Sequence, residues 1–447
     1  MRHCFVCLLL MLLLCVASIS AQDDEPLQEY YAYISDSTSD GFVLSYMDMP
    51  SLTVARQVET DFWRPMYGYA VSFVSPDGKW VALVPARHSP DLVAIGLFNV
   101  ATSQLQIVEA GVSEDFYGDY VSYIRGPSPI VAWSPDSAYL AFIGRLDSEY
   151  RVGIYDVQNE QIHWMESTGK QFASLAWNTT STRLAVVAGH CEGICQSFIE
   201  VYDVASEALV ASRKVLFGYG GFGIAEYICN LQWSPDGQQL SFVSLCGASS
   251  FFESPKEVYI LDLPTGIVTN ATHLTDVALP MTDPPNPDLV GRFAHYNSYW
   301  LDANRLLIGA VYSVNVPQNQ VASTFVYDVD AQTLTHIGDG RAYEFAVDTV
   351  HGQLAITSLD NSEMLQDMRI VPLSAIETFP NVPTFPPGCN LSWNHDGSLL
   401  MYQIRMNDTI YCRGNTKSSA YVDAETGILT EFPLGGGPVG WVVMPSQ

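Results

Sequence analysis

The sequence predicts an all-β chain folded as a single β-propeller of eight four-stranded blades, and three observations predict it. A hairpin phrase built on apolar–x–Trp recurs along the chain. A second hairpin phrase, an apolar strand ending in Asp or Asn, follows each copy. The chain opens with three strands of such a unit and closes with the one strand that the opening lacks.

The first phrase reads Val131-Ala132-Trp133-Ser134-Pro135-Asp136 and runs on to Leu140-Ala141-Phe142. It returns as Leu231-Gln232-Trp233-Ser234-Pro235-Asp236-Gly237 before Leu240-Ser241-Phe242, and with Phe for Trp as Val71-Ser72-Phe73-Val74-Ser75-Pro76-Asp77-Gly78. Leu391-Ser392-Trp393-Asn394-His395-Asp396-Gly397 and Leu175-Ala176-Trp177-Asn178 are further copies; weaker ones stand at Trp300 and Val347. Pro presets φ for the first turn position, Asp hydrogen-bonds locally, and Gly accepts φ > 0. Alternating apolar residues on either side are then two antiparallel strands, a and b.

The second phrase appears as Ile154-Tyr155-Asp156-Val157, Val201-Tyr202-Asp203-Val204, Ile260-Leu261-Asp262-Leu263, Val326-Tyr327-Asp328-Val329, Leu97-Phe98-Asn99-Val100 and Tyr421-Val422-Asp423-Ala424. Met368-Arg369-Ile370-Val371-Pro372 is the weakest, without the acid. These are strands c and d, and four antiparallel strands repeated around a ring are a propeller pattern.

Positions 73, 133, 177, 233, 300, 347 and 393 each begin a complete unit. Ahead of them stand Tyr30-Tyr31-Ala32-Tyr33-Ile34 as a strand b and Phe42 to Pro50 as a c–d phrase, with no strand a. Pro438-Val439-Gly440-Trp441-Val442 supplies it from the other end, giving eight blades and removing two open sheet edges. Seven blades is the alternative if the Trp300 or Val347 unit is an insertion.

Residues 1–21 read as a secretory signal: basic Arg2, an apolar run from Phe5 to Val16, and the small-residue end Ala17-Ser18-Ile19-Ser20-Ala21. Residues 22–447 are then the propeller. No later segment is apolar enough to cross a bilayer, so the expected location is secreted or periplasmic. The formal net charge of −28 repels nucleic acid and anionic headgroups, and it suits solubility. A monomer is expected, with no cofactor and no metal.

The phrases Trp-Ser-Pro-Asp-Gly, then apolar–Ala–Phe, then Tyr-Asp-Val, resemble the WD-like repeats of the TolB-type propeller superfamily, which includes the propeller domains of prolyl-oligopeptidase-type enzymes. The resemblance spans essentially all of 22–447. It implies the fold and leaves activity open, because such propellers serve as platforms, gates and occasional catalysts. No Gly-x-Ser-x-Gly motif is present to mark an accompanying hydrolase domain.

Short a–b and c–d turns leave one rim plain. Most length variation falls in the connections at the other rim, 110–129, 188–198, 213–229, 246–257, 271–296, 312–322 and 404–418, where a site is expected. Cys229 and Cys389 each stand four residues before a Trp, and Cys246 and Cys412 each follow the next strand b. This register favours Cys229–Cys246 and Cys389–Cys412 bridges, with Cys191–Cys195 as a local one; counting alone leaves other pairings open. A metal site seeded by His190, Cys191 and Cys195 is the rival reading.

The candidate binding residues are Tyr117, Tyr120, Phe222, Phe252, His295 and Tyr296, aromatic groups beside carboxylates that suit a peptide, sugar or cation. Loop packing is the competing role for them. The best acid–base cluster is His273, Asp276, Asp283, Asp288, Arg292 and His295, and a solvated loop packed by Pro280, Pro284, Pro285 and Pro287 is its simpler explanation. His395 reads as a turn residue. Asn178, Asn270, Asn390 and Asn407 match the glycosylation sequon, with chance as the default. The leading function is a non-catalytic scaffold binding a protein, peptide or carbohydrate. The alternative is an extracytoplasmic enzyme of polysaccharide lyase, lactonase or hydrolase type, with its site at the channel mouth.

Overall fold

The computed structural model describes residues 27–37, 42–60, 72–83, 93–112, 131–146, 149–166, 171–192, 194–217, 228–244, 257–272, 295–313, 320–362, 364–405, 416–433 and 437–445. These residues form eight four-stranded antiparallel sheets. Seven are continuous in sequence: blade 2 (72–112), blade 3 (131–164), blade 4 (171–217), blade 5 (228–270), blade 6 (295–339), blade 7 (341–385) and blade 8 (388–432). Blade 1 joins Leu27–Ser37, Phe42–Asp48 and Thr53–Thr60 to the C-terminal strand Gly437–Pro445.

The join is the expected three-plus-one closure. Tyr31 lies opposite Trp441 and Tyr30 opposite Val442. The rings of Tyr31 and Trp441 meet edge to face at 5.4 Å. Strands a of successive blades touch all the way round, from Gly437–Pro445 to Ser72–Val74 and onward to Gly388–Trp393, which meets Gly437–Pro445 again. The Trp300 and Val347 units are full blades, which removes the seven-blade alternative.

Apolar residues from facing blades interdigitate between the sheets. Leu97, Phe142 and Leu184, from blades 2, 3 and 4, belong to one buried cluster. The repeated Trp adds a directional bond to this packing. The indole N–H of Trp177 donates to Ala132 O (2.9 Å), Trp233 to Ala176 O (2.8 Å), Trp300 to Gln232 O (3.4 Å), Trp393 to Ala346 O (3.0 Å) and Trp441 to Ser392 O (2.9 Å). Each acceptor is the residue just before the Trp-equivalent of the preceding blade, so one bond stitches one blade to the last. Phe73 and Val347 cannot donate. At the joint between blades 6 and 7, Thr324 takes over, donating to Gly340 O (2.6 Å) and accepting from Ala342 N (3.0 Å).

The a–b turns follow one pattern. Ser75, Ser134 and Ser234 each donate to the Asp two residues on, and each accepts from the first backbone N–H of strand b. The last turn position has positive φ, as Gly78, Ser137, Ser181, Gly237 and Gly397 do. Where serine replaces glycine there, its hydroxyl accepts a backbone N–H from the neighbouring blade: Asp77 N to Ser137 (2.9 Å) and Asp136 N to Ser181 (3.1 Å). Strand c ends in Asp or Asn because that side chain caps the following turn, as Asp203 does for Ser206 and Asp423 for Thr426. Blade 7 lacks this acid, and its chain leaves Pro372 through a 3-10 segment, Leu373–Asn381, before a two-residue outer strand, Thr384–Phe385.

One expected rim connection is shorter than its sequence suggested. In blade 4, strand b runs to Glu192 and strand c starts at Ile194, and the two strands pair as far as Glu192 opposite Ile194.

Candidate functional site in the channel wall

Strands a line the channel, and several of them bulge. The irregularity falls at Ser174 in blade 4, at Asn230 and Leu231 in blade 5, at Tyr343 in blade 7, and at Asn390 and Leu391 in blade 8. Ser174, Asn230 and Asn390 take positive φ there (46°, 52° and 59°). Asparagine is among the residues that tolerate this conformation best. A bulge frees a backbone N–H from its ladder, and that N–H needs another acceptor.

Blades 5 and 8 find the acceptor at one equivalent place. In blade 5, Leu231 N donates to Ser174 Oγ of blade 4 at 3.4 Å. In blade 8, Leu391 N donates to Glu344 Oε1 of blade 7 at 2.9 Å. Ser174 and Glu344 each stand three residues before the Trp-equivalent of their blade, so a neutral hydroxyl and a carboxyl do the same work.

At the bulge itself, the blade 7–8 joint places a carboxyl where the blade 4–5 joint has a hydroxyl. Glu344 is half-buried, and burial pushes its carboxyl up to about 7 against the pull of Leu391 N, Asn390 N and the Arg405 guanidinium. Arg405, at the end of strand b in blade 8, is 8 % exposed, and its own pKa is lowered by burial although Glu344 opposes the shift. Asn390 Nδ2 donates to Gln403 Oε1 (2.8 Å), which also accepts from Arg405 (3.3 Å). A titratable carboxyl, a guanidinium and two amides thus share one stretch of channel wall.

Blades 5 and 6 extend the polar arc without charge. Asn230 Nδ2 donates to Ser298 O (3.2 Å) and Ser298 Oγ (3.1 Å), and Gln232 Nε2 to Ser298 O (2.7 Å). Asn297 Nδ2 donates to Tyr343 O across the blade 6–7 joint.

The residues expected from sequence fall elsewhere. Tyr117, Tyr120, Phe222 and Phe252 lie outside the described residues, as does the 1–21 leader. So do His273, Asp276, Asp283, Asp288 and Arg292. His295 and Tyr296 begin strand a of blade 6, paired with Val311 and Ala310, and only their backbone is described. Cys229 and Cys389 are buried and disulfide-bonded. Cys246 and Cys412 lie outside the described residues, so the predicted pairing is not read from the structure. Cys191 is the direct backbone partner of Cys195 in the blade 4 hairpin. Among the described residues no group of three His, Cys, Asp or Glu could hold a metal.

The described His–carboxylate pairs sit away from the channel. His163–Glu207 and His336–Asp339 involve outer strands, while His351–Asp348 and His395–Glu29 lie at the plain rim. Two sequons are committed to the fold: the Asn178 amide is bonded inside its own turn to Thr180 and Thr182, and Asn390 holds Gln403.

No family model matches the sequence, and no curated protein does either. Solved structures do. Dihydro-heme d1 dehydrogenase NirN is 11% identical over 92% of this chain and 74% of that one, with a TM-score of 0.56. A prolyl endopeptidase is 14% identical over 85% of this chain (TM-score 0.48), and this chain spans only 50% of its length. TolB from Acinetobacter baumannii is 16% identical over 81% of this chain and 83% of that one, with a TM-score of 0.35. At such identities the likeness concerns architecture. The chain is an eight-bladed β-propeller, similar in fold to proteins of quite different chemistry.

Proposed function

We propose that this chain is a non-catalytic binding platform working outside the cytoplasm, and that its ligand, a peptide or carbohydrate, docks at the channel mouth against blades 7 and 8. The observation that carries this reading is the comparison of two equivalent joints. The fold needs only a hydroxyl to receive the bulged N–H, as Ser174 shows, yet blade 7 supplies a carboxyl beside a buried guanidinium. Charge placed where the scaffold does not need it is a mark of a functional site.

Two further features support the reading. The leader-like 1–21 segment and the oxidised state of Cys229 and Cys389 fit an extracytoplasmic protein. The channel-wall side chains named above are held by the scaffold, which suits a rigid receptor better than proton transfer. The alternative, an enzyme of lyase, lactonase or hydrolase type, rests on the His273–His295 cluster of the sequence.

The test is to probe purified protein on peptide and glycan arrays, and to assay it in parallel against polysaccharide, lactone and ester substrates. Saturable array hits without turnover support the platform. Turnover that survives Glu344→Ser with Arg405→Leu, but not loss of His273 or His295, replaces it with the enzyme.

A further inference from the structure

Blade 1 is the one blade whose strands a and b are not joined by a turn, because its strand a is C-terminal and its strand b N-terminal. At several other joints of the plain rim, neighbouring turns touch. Asp77 N donates to Ser137, Asp136 N to Ser181, and Thr179 Oγ1 to Pro235 O. The blade 7 turn packs Asp348 against Gly397 of blade 8 so closely that no Cβ fits at Gly397. Blade 1 has no a–b turn to offer its neighbours.

His395 spans that gap. It stands in the a–b turn of blade 8, and its backbone N–H donates to Glu29 Oε1 of blade 1 at 2.8 Å. Its ring Nδ1 faces the same carboxylate, and its Nε2 lies 2.9 Å from Pro76 O in the blade 2 turn. Gly78 completes the seat. Its carbonyl accepts from Val443 N at 2.9 Å, and a Cβ there would lie 2.9 Å from His395 Cε1.

Both ring nitrogens therefore face acceptors: a carboxylate oxygen and a carbonyl oxygen. A neutral imidazole has one N–H and would turn a lone pair on one of them, whereas an imidazolium satisfies both. We infer that His395, in its charged form, is the latch of the ring: it ties blade 8 to the N-terminal strand and to blade 2 in place of the missing turn, and the seam loosens when it loses its proton.

The surroundings favour the charged ring. The Glu29 hydrogen bond raises the His395 pKa, burial opposes this, and the Glu29 charge, the Pro76 carbonyl and the Asp77 charge add to the rise. The neighbouring charges are Glu29 on strand b of blade 1, Asp77 with its partner Lys79 on the blade 2 turn, and Asp396 on the same turn as His395. Strand a of blade 1 contributes no ionisable side chain between Gly437 and Pro445. Because the folded pKa lies above the unfolded one, the latch is fully engaged below the ordinary histidine range and is lost as pH rises through the folded value.

The test compares urea unfolding and backbone amide exchange of the wild-type protein, His395→Gln and Glu29→Gln at about pH 6 and about pH 9. The inference expects each variant to exchange the amides of the Leu27–Ser37 and Gly437–Pro445 strands about tenfold faster than wild type at the lower pH. At the higher pH the three proteins should converge. A variant-to-wild-type difference that is equal at both pH values overturns it. Should neither variant fold, ¹⁵N NMR of the histidines in the wild-type protein decides: a signal with both nitrogens protonated at neutral pH is required, and its absence overturns the latch.

Discussion

The blade 4–5 and blade 7–8 joints are built on the same plan and differ in chemistry. Both carry a Cys-Asn-Leu bulge with the asparagine at positive φ, and both receive the freed leucine N–H on a side chain of the preceding blade. In the first the receiver is Ser174, fully buried and neutral. In the second it is Glu344, raised to about 7 by burial and set beside Arg405. Asn230 reaches forward to Ser298 in the next blade, while Asn390 turns to Gln403 in its own. Gln403 stands opposite Cys389 where Val243 stands opposite Cys229, so one polar substitution redirects the asparagine. A repeat fold thus supplies its own control experiment: what the two joints share is structural, and what they do not share is available for function.

The largest effect is expected from breaking the charged joint on one side. Glu344→Ala leaves the Leu391 N–H without its acceptor and removes the carboxyl whose charge acts on Arg405. It should cost about 3 kcal/mol of stability, read from urea unfolding. Removing the charge from both sides, with Glu344→Ser and Arg405→Leu together, recreates the blade 4–5 chemistry and should recover most of that loss. If the double variant is as unstable as Glu344→Ala, the two joints are not equivalent.

A pH series separates the joints next. The carboxyl of Glu344 has a folded pKa of about 7, above its ordinary 4.5, so the native state holds the extra proton between these values. Its contribution is therefore full at the acid end and falls as pH rises from about 4.5 to about 7, then stays level. Glu344→Gln should flatten the stability profile in that window. Ser174→Ala should leave the profile's shape unchanged.

Smaller effects come from the shared stitching. Trp441→Phe keeps a ring against Tyr31 but loses the bond to Ser392 O, and should cost about 1 kcal/mol in urea unfolding. Ser174→Ala removes a longer bond and should cost about 0.5 kcal/mol in the same measurement. A larger loss for Ser174→Ala than for Glu344→Ala would invert the comparison.

The architecture was legible because each blade repeats the same local physics. The Trp that ends strand a, the turn Ser and Asp, and the Asp that ends strand c make local or adjacent-blade bonds in the structure, so their spacing was enough to count blades and to find the closure at Trp441. The channel-wall site was not legible in the same way. Glu344 sits in Arg-Ala-Tyr-Glu-Phe-Ala-Val, the strand of the weak Val347 copy, which lacks the Trp of the motif. The signal was available: aligning the strands on the Trp position puts Glu344 over Ser174, beside the matched Cys229-Asn230-Leu231 and Cys389-Asn390-Leu391 phrases. His395 shows the opposite limit. It is the turn residue the repeat implied, but its bonds to Glu29 and Pro76 cross the closure and connect residues hundreds of positions apart, which no local pattern encodes.

The most direct test of the charged joint as a binding surface is to compare wild-type protein with the Glu344→Ser, Arg405→Leu double variant on the same peptide and glycan arrays, after confirming that both unfold cooperatively. The account predicts that the variant keeps its fold and loses at least about tenfold in affinity for the probes that wild type retains. Equal binding by the two proteins would contradict it and return Glu344 and Arg405 to the scaffold.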